Sequence, residues 1–321
     1  MMKWLKRDLI FNIEKHALPK GCIAFAQSPE AILIDDFVRV YFSTRSLDPE
    51  TKKFISHIAY VDFDYDFKNI LKISETNVIE LGGLGSFDEH GIFPFSPVWV
   101  NDKIYAYTCG WSRRVSVSVE TSTGLAISQD KGNTYERYKS GPVLTSSLKE
   151  PMLVGDSFVL YENNTFHMWY IFGVKWTEAN GVEPPARLYK IAYARSSNGI
   201  DWIKNEGNQI ITDLIGEDEC QALPTVVKLK DRYHMYFCYR YATDFRTNPN
   251  RGYRLGYAYS DDGINWTRSD ETKGIDTSEG GWDSNMMAYP NIFKWGDKTY
   301  LLYNGNEFGK YGFGLAELIS D

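Results

Sequence analysis

The chain has 321 residues, a formal net charge of −7 and an aromatic content of 15%. An acidic balance without a basic patch that contains interleaved aromatic residues predicts no nucleic-acid partner. No run approaches about 18 consecutive apolar residues, so we expect no membrane span. The charged start MMKWLKRDLIFNIEKH lacks the form of a signal peptide. Cys22, Cys109, Cys220 and Cys238 lack metal-ligand spacing, which favours reduced thiols in a cytoplasmic protein, with no metal and no cofactor.

Five short polar turns recur along the chain at intervals of 62 to 67 residues. They centre on Asp36, Asp102, Asn164, Asp231 and Asp297. Each turn is followed by an aromatic-rich run, for example VRVYFSTR from Val38 and YHMYFCYR from Tyr233. An apolar strand, a two-residue turn and an alternating aromatic strand indicate a β-hairpin. Self-similarity at a fixed period indicates a repeat architecture.

A third strand and a second tight turn follow each hairpin, as in GLAISQDKGNTY, KIAYARSSNGIDW and RLGYAYSDDGINW. Tyr135, Trp202 and Trp266 occupy matching places after these turns and are predicted to pack between neighbouring sheets. The pattern predicts an all-β fold, a five-bladed β-propeller that forms a single domain over residues 1–321. The N-terminal segment KWLKRDLIFNI is predicted to close the last blade as its outer strand. Since the exposed edges are short, we expect a monomer.

Inner strands of a propeller run roughly along the ring axis, so their entry ends converge on one mouth. The predicted entry points are Ser28-Pro29, Ser96-Pro97, Asp156-Ser157, Leu223-Pro224 and Tyr289-Pro290. The side chains expected at this mouth are Gln27, Asp88, Glu89, His90, Asp156, Glu219, Gln221, Asp283 and Tyr289, with Arg45, Trp111, Arg240, Asn304 and Asn306 from the ends of the second strands. Carboxylates, amides, guanidinium groups and aromatic faces around a cavity suit a small carbohydrate or a sugar-containing metabolite.

The hairpin repeats with their SxDGxxW turns resemble the five-bladed glycosidases of glycoside hydrolase families 43, 32, 68 and 130. The resemblance covers essentially the whole chain. It implies that Glu219, in DECQALPTVV, is the general acid and that Asp156, in VGDSFVLYENNTFHMWY, orients it and sets its pKa. Those families also place an aspartate, as base or nucleophile, on the first inner strand, where this chain has Gln27 and Ser28. The partner carboxylate is then expected from Asp88, Glu89 or Asp283.

Three functions are compatible with these residues. The first is a glycoside hydrolase-like enzyme that uses carboxylate acid/base catalysis in the central funnel. The second is a phosphorylase or transferase that acts on a phosphorylated or nucleotide sugar, for which Arg45, Arg240, Arg246 and Arg251 would suit a phosphate. The third is a carbohydrate-binding propeller without catalytic activity, with which Gln27 is compatible. The candidate carboxylates also have structural interpretations, because an aspartate can cap a turn and Glu219 lies in an acidic run.

Overall fold

The computed structural model describes residues 2–178 and 184–320 as five four-stranded antiparallel sheets with almost no helix. The chain begins with β1 (Lys3–Asn12). Blade 1 consists of β2 (Ala24–Ile34), β3 (Phe37–Leu47), β4 (Phe54–Phe63) and β5 (Ile70–Ile73), and blade 2 of β6 (Ile92–Val100), β7 (Lys103–Arg113), β8 (Val119–Ser128) and β9 (Glu136–Arg137).

Blade 3 consists of β10 (Val154–Glu162), β11 (Thr165–Trp176), β12 (Arg187–Ser196) and β13 (Ile203–Lys204), and blade 4 of β14 (Glu219–Leu229), β15 (Arg232–Tyr241), β16 (Arg254–Ser260) and β17 (Thr267–Arg268). Blade 5 combines β18 (Ala288–Trp295), β19 (Lys298–Asn304) and β20 (Gly312–Ser320) with β1. Short helical turns lie at Pro249–Arg251, Asp270–Thr272 and Asn306–Gly309. Within the described ranges, no helix has the length and hydropathy needed to cross a membrane.

The five inner strands close into a ring. The strands β2, β6, β10, β14 and β18 each contact the inner strand on either side, and β18 returns to β2. The five-bladed β-propeller predicted from the repeats is thereby confirmed. The predicted closure is confirmed as well, because β1 pairs antiparallel with β20 as the outer strand of blade 5.

In blades 2, 3 and 4, the tight turn after the third strand is hydrogen-bonded to the preceding blade. The turn glycines Gly132, Gly199 and Gly263 have φ values of 77°, 74° and 74°, which side-chain-bearing residues adopt rarely. Their carbonyl groups accept hydrogen bonds from aromatic side chains of the preceding blade, namely Tyr41 (2.7 Å), Tyr107 (3.0 Å) and Trp169 (3.0 Å). Tyr135, Trp202 and Trp266 pack in the same layers, as predicted. The repeated turn motif therefore holds neighbouring sheets together.

Every inner strand carries a β-bulge at the same place. The pairing register with the second strand shifts between Gln27 and Glu30, Ile92 and Phe95, Gly155 and Phe158, Ala222 and Thr225, and Ala288 and Asn291. A bulge bends the strand and redirects a side chain. In blade 2 the bulge falls on Phe93-Pro94, so the predicted entry point at Ser96-Pro97 is wrong by three residues. Ser96 instead accepts a hydrogen bond from the Val159 amide of blade 3 at 3.2 Å.

Beyond the bulges, polar side chains connect adjacent inner strands. Thr225 accepts from the Ile292 amide and Asn291 accepts from the Ala31 amide, both at 3.0 Å. Asn291 also donates to the carboxyl group of Glu30 at 2.6 Å. Glu30 is only 4% exposed, and burial raises its pKa well above the ordinary glutamate value.

Replacing Glu30 with Gln should stabilise the protein, and increasingly so at alkaline pH. A carboxyl group whose pKa is raised by folding contributes stability below its unfolded pKa and loses it as the pH rises through the folded pKa. Gln is neutral at every pH and escapes this loss. Urea unfolding at pH 5 and pH 9, compared with the exposed control Glu50→Gln, measures the effect. A Glu30→Gln protein that is less stable than wild type at pH 9 would show that Glu30 stabilises the ring as a carboxylate.

Candidate functional site

The bulges open into a central cavity of about 290 Å³ at one mouth of the ring. Four bulge residues, Phe93, Asp156, Leu223 and Tyr289, line this cavity, and blade 1 contributes Gln27 beside its own bulge. The other lining residues are Arg45, Phe54, Ser56, Cys109, Trp111, Val119, Thr121, Leu153, Ile171, Arg187, Tyr189 and Tyr253. All five blades therefore contribute to one cavity, as the ring inferred from the sequence predicted.

Among the described residues that line this cavity, Asp156 is the one carboxylic acid. Its backbone is left-handed at φ 48°, which directs the side chain out of the strand ladder. Burial raises the pKa of Asp156 to about 7, against the opposing effects of the Arg187 charge and of a hydrogen bond with the Leu223 backbone. Near neutral pH this carboxyl group is therefore divided between its acid and base forms, which suits proton transfer.

Two guanidinium groups line the same cavity as Asp156, and a third lies behind its wall. Arg45 and Arg187 line the cavity itself, and burial lowers the pKa of Arg45 to about 10, so that it remains cationic at neutral pH. Arg240 lies one layer behind, where it donates to the Tyr189 hydroxyl group at 2.9 Å. The Gln27 side chain accepts from Arg45 and donates to the Phe308 carbonyl oxygen. The cavity is thus cationic although the whole chain is acidic.

Aromatic side chains form much of the remaining wall. Trp111 donates to the Ser56 hydroxyl group at 3.0 Å and stacks against His90 with ring centroids 5.8 Å apart. The hydroxyl groups of Tyr189 and Tyr253 are hydrogen-bonded to each other at 2.8 Å. Burial raises the pKa of both tyrosines and of Tyr289, so these phenols stay protonated. The wall offers ring faces and hydroxyl groups, the groups that bind sugars.

The predicted site residues fall into three groups. Those that line the cavity are Gln27, Arg45, Trp111, Asp156 and Tyr289. His90 and Arg240 support lining residues from behind, through Trp111 and Tyr189. The remaining seven, Asp88, Glu89, Glu219, Gln221, Asp283, Asn304 and Asn306, are not among the lining residues.

Glu219 is fully buried in a network within blade 4. Its carboxylate accepts from Arg268 at 2.6 Å and from the side chain of Gln221 at 2.9 Å. It also accepts from the amides of Leu214 and Ile215 at 2.7 and 3.0 Å. The bulge of blade 4 presents Leu223 to the cavity, so the glutamate four positions earlier faces the outer strand β17 instead. The predicted pairing of Asp156 with Glu219 in one cavity does not occur in this geometry.

The other three candidate carboxylates also contact protein groups outside the cavity. Asp88 is fully buried and forms an ion pair with Arg137. Glu89 accepts from the Gly85 amide at 2.7 Å and lies 3.3 Å from His90. Asp283 accepts from Lys6 at 2.7 Å and from the Tyr303 hydroxyl group at 3.1 Å. Asp283 thereby joins the N-terminal strand to the rest of blade 5.

Asn304 and Asn306 hold the backbone rather than face the cavity. Asn304 accepts from the Ser28 amide and donates to the Ala26 carbonyl oxygen, both at 2.8 Å, and so connects blade 5 to blade 1. Asn306 accepts from the amides of Asn285 and Met286 at 2.8 and 3.1 Å. Both amides therefore stabilise the chain around the mouth.

Several lining residues were not predicted, and Arg187 is the most important of them. It is the last residue of the segment VKWTEANGVEPPAR (174–187) and begins β12 at the mouth; residues 179–183 lie outside the described part of the chain. The sequence signal that could have identified Arg187 was its position at the end of an irregular segment beside the predicted mouth. Phe93 was also detectable, because Phe93-Pro94 is a second X-Pro pair three residues before Ser96-Pro97.

Comparison with solved structures finds several with the same fold. A structure of a BT0996 RGII complex matches with a TM-score of 0.73, at 15% identity over 98% of this chain and 92% of that one. The β-1,2-mannobiose phosphorylase from Listeria innocua matches at 0.68, with 11% identity over 98% and 96%. A thermostable family-43 glycoside hydrolase matches at 0.64, with 12% identity over 94% and 90%. At these identities the similarity shows a shared fold.

Sequence comparison finds full-length relatives. No protein-family model matches the chain. Two proteins of Mycobacterium tuberculosis, Uncharacterized protein Rv1502 of strain H37Rv and Uncharacterized protein MT1551 of strain CDC 1551, are each 31% identical over 323 residues, which covers 99% of this chain and 99% of the relative. The chain belongs to the same family as Rv1502 and MT1551, and it has the five-bladed β-propeller fold of glycoside hydrolases and of a disaccharide phosphorylase.

Proposed function

We propose that this protein is a carbohydrate-active enzyme that cleaves or forms a glycosidic bond in the central cavity, with Asp156 as its acid/base group and phosphate as the attacking or leaving group. The observation that carries this proposal is the charge pattern of the described lining: a single carboxyl group, Asp156, beside the guanidinium groups of Arg45 and Arg187.

A hydrolytic mechanism fits this set of residues less well. Glycoside hydrolysis ordinarily uses two carboxyl groups that flank the scissile bond, one as acid and one as base or nucleophile. Within the described lining, Asp156 has no second carboxyl group opposite it, and Glu219 is held by Arg268. Phosphate is itself an anionic nucleophile and attacks without a base from the protein. The absence of a second carboxyl group from the described lining is then expected rather than anomalous.

The guanidinium groups supply what phosphate needs. Arginine binds phosphate oxygens with paired, charge-assisted hydrogen bonds. Arg187 lies close enough to lower the pKa of Asp156, so a phosphate held by Arg187 would lie near the proton donor. Arg45 would provide a second cationic contact, fixed by its bonds to Gln27 and to the Ser43 hydroxyl group (2.8 Å).

In the cleavage direction, protonated Asp156 donates its proton to the glycosidic oxygen. The bond from that oxygen to the anomeric carbon breaks, and a phosphate oxygen forms a new bond to the same carbon. The products are a sugar 1-phosphate and a sugar with a free hydroxyl group, and Asp156 is left as a carboxylate. In the reverse direction this carboxylate accepts the proton of the attacking hydroxyl group. Trp111 and the cavity tyrosines would bind the sugar by stacking and hydrogen bonding.

The names of solved structures with the same fold support the proposed type of reaction. One is named as a phosphorylase of β-1,2-mannobiose and another as a family-43 glycoside hydrolase, so propellers of this shape carry both reactions. We further propose that the protein acts as a single-domain monomer in the cytoplasm. Its four cysteines are all free, as expected in a reducing compartment.

Turnover of disaccharides should depend on phosphate and should require Arg187. The purified protein is incubated with disaccharides of the common hexoses and N-acetylhexosamines, with and without inorganic phosphate, and sugar 1-phosphate is followed by ³¹P NMR. Replacing Arg187 with Gln removes a phosphate contact, and should raise the KM for phosphate by about 10-fold or more, since a charge-assisted hydrogen bond is worth about 1.5–3 kcal/mol. Arg195→Gln, at the exposed opposite end of the same strand β12, is the matched control.

Each alternative function predicts a different result in this assay. Phosphate-independent release of free sugar that disappears in Asp156→Asn would identify a hydrolase. Sugar binding without turnover in either condition would identify a binding propeller. An unchanged KM for phosphate in Arg187→Gln would contradict the role proposed for Arg187.

A further inference from the structure

A second opening lies beside the central cavity on the same mouth of the ring. It has a volume of about 470 Å³ and lies between the loop that follows β15 in blade 4 and the segments that flank β18 and β19 in blade 5. We call it the 4/5 groove; its lining residues include Phe245, Arg246, Thr247, Trp282, Phe308 and Tyr311. The proposed reaction leaves it without a role.

The groove and the central cavity share a wall. The ring of Phe308, in the groove, packs edge-on against Tyr253, in the cavity, with centroids 6.1 Å apart. The backbone carbonyl oxygen of Phe308 accepts a hydrogen bond from the cavity residue Gln27. The ring of Phe245, which also lines the groove, packs against Arg240, with 3.6 Å between the ring centroid and the guanidinium carbon. A ligand that leaves the cavity over Phe308 therefore enters the groove directly.

The shared wall is built in an unfavourable backbone conformation. Glu307 and Phe308 both have left-handed φ values, 55° and 60°, although neither is glycine. Asn306 fixes the turn by accepting from the Asn285 amide and donating to the Gly281 carbonyl oxygen at 3.0 Å. The Tyr311 hydroxyl group donates to Glu307 at 2.7 Å. Such a conformation persists only where surrounding contacts determine it, so the position of Phe308 is specified.

The chemistry of the groove suits a sugar ring. Trp282 is held by stacking on Tyr303, with centroids 5.0 Å apart, and contributes to the groove wall. Arg246 lies over the ring of Phe245 at 4.3 Å and near that of Phe308 at 5.8 Å. Desolvation and the charge of Arg240 lower the pKa of Arg246, so an acceptor of its hydrogen bonds would be favoured there. Apolar ring surface beside a few polar side chains is typical of a small-molecule site.

We propose that the 4/5 groove is a second sugar-binding subsite, which receives a further unit of the glycan whose reacting sugar occupies the central cavity. The inference rests on the proposed function and deepens it, because it assigns a place in the structure to the glycan unit that is joined to the reacting sugar. Phe308 lies in the wall that separates the two subsites. Arg246 contacts the unit in the groove.

Filling the groove tests this proposal. Thr247 is exposed and lines the groove, and Thr247→Trp places an indole in it without altering a residue that lines the central cavity. The control is Thr51→Trp, at another exposed threonine, in the loop between β3 and β4. The probe is a glycan array with mono- to tetrasaccharides of the common hexoses, N-acetylhexosamines and uronic acids, followed by calorimetry on the best-bound glycan and on its terminal monosaccharide.

Wild type should bind the oligosaccharide at least 10-fold more tightly than the monosaccharide. Thr247→Trp should remove this advantage and leave monosaccharide affinity unchanged, whereas Thr51→Trp should change neither. If Thr247→Trp does not fold, Arg246→Ala and a structure with the bound oligosaccharide provide the same test.

Two negative results have different meanings. An oligosaccharide that binds no more tightly than its monosaccharide, or one seen in the central cavity with the groove empty, overturns the subsite and leaves the proposed function standing. No glycan bound in the central cavity overturns the proposed function itself.

Discussion

Replacing Asp156 with Asn should lower turnover by about 10²–10⁴-fold, the usual contribution of a positioned general acid or base. Asn has nearly the same shape and tolerates the left-handed backbone at φ 48°, so the fold should be retained. In the wild type, the rate of glycosidic bond cleavage should fall as the pH rises through about 7, because the proton donor is lost at that pKa. The pH dependence of kcat/KM measures this directly.

The same substitution should stabilise the protein at alkaline pH. The pKa of Asp156 is raised from 3.8 to about 7, so the stability that its protonated form contributes below pH 3.8 is lost as the pH rises through 7. The Asn variant avoids this loss, which is at most about 4 kcal/mol and smaller where water enters the cavity. Urea unfolding at pH 5 and pH 8.5 measures the difference.

A loss of activity together with a gain in stability would separate a catalytic role from a structural one. Asp231→Asn, in the hairpin turn between β14 and β15, is the control and should change neither property. If Asp156→Asn retains wild-type turnover, Asp156 is not the acid/base group. If it loses both activity and stability, the carboxyl group serves the fold.

Replacing Trp4 with Ala should lower the free energy of unfolding by about 3–5 kcal/mol, the range for removal of a buried aromatic side chain. Trp4 lies on the closing strand β1, is 8% exposed, and donates to the Tyr236 hydroxyl group at 2.8 Å and to the Lys273 carbonyl oxygen at 3.1 Å. The substitution removes these bonds and leaves a void between blades 4 and 5. Chemical denaturation monitored by far-UV circular dichroism measures the loss.

The neighbouring residue provides a matched control. Leu5 is on the same strand but is 54% exposed, so Leu5→Ala should change stability by less than about 0.5 kcal/mol. If Trp4→Ala is as stable as Leu5→Ala, the N-terminal strand does not close the ring in an energetically important way.

The architecture could be predicted because its signals are local. Hairpin turns such as Asn101-Asp102, alternating aromatic strands and the turn before Trp266 are each contained within about a dozen residues, and five copies reinforce one another. The closing strand was also predictable, since the last blade stops after its third strand and the first residues of the chain have a strand pattern.

The composition of the cavity could be predicted only in part. Asp156 and Tyr289 were expected at the mouth from their places in the repeats, and the structure puts both in the cavity lining, each on the bulge of an inner strand. In blade 2, the two X-Pro pairs Phe93-Pro94 and Ser96-Pro97 lie three residues apart and look alike in sequence, and only strand pairing shows which of them lies on the bulge.

By itself, the sequence determined the number of blades, the strand order within them and the gathering of five inner strands around one axis, because periodic patterns of turns and apolar residues depend on near neighbours. The tertiary structure alone decided which charges meet in the cavity. Glu219 faces Arg268, 49 positions away, whereas Arg187 approaches Asp156. The direction of a side chain at a bulge and the choice of its ion-pair partner depend on residues distant in sequence, which no local pattern specifies.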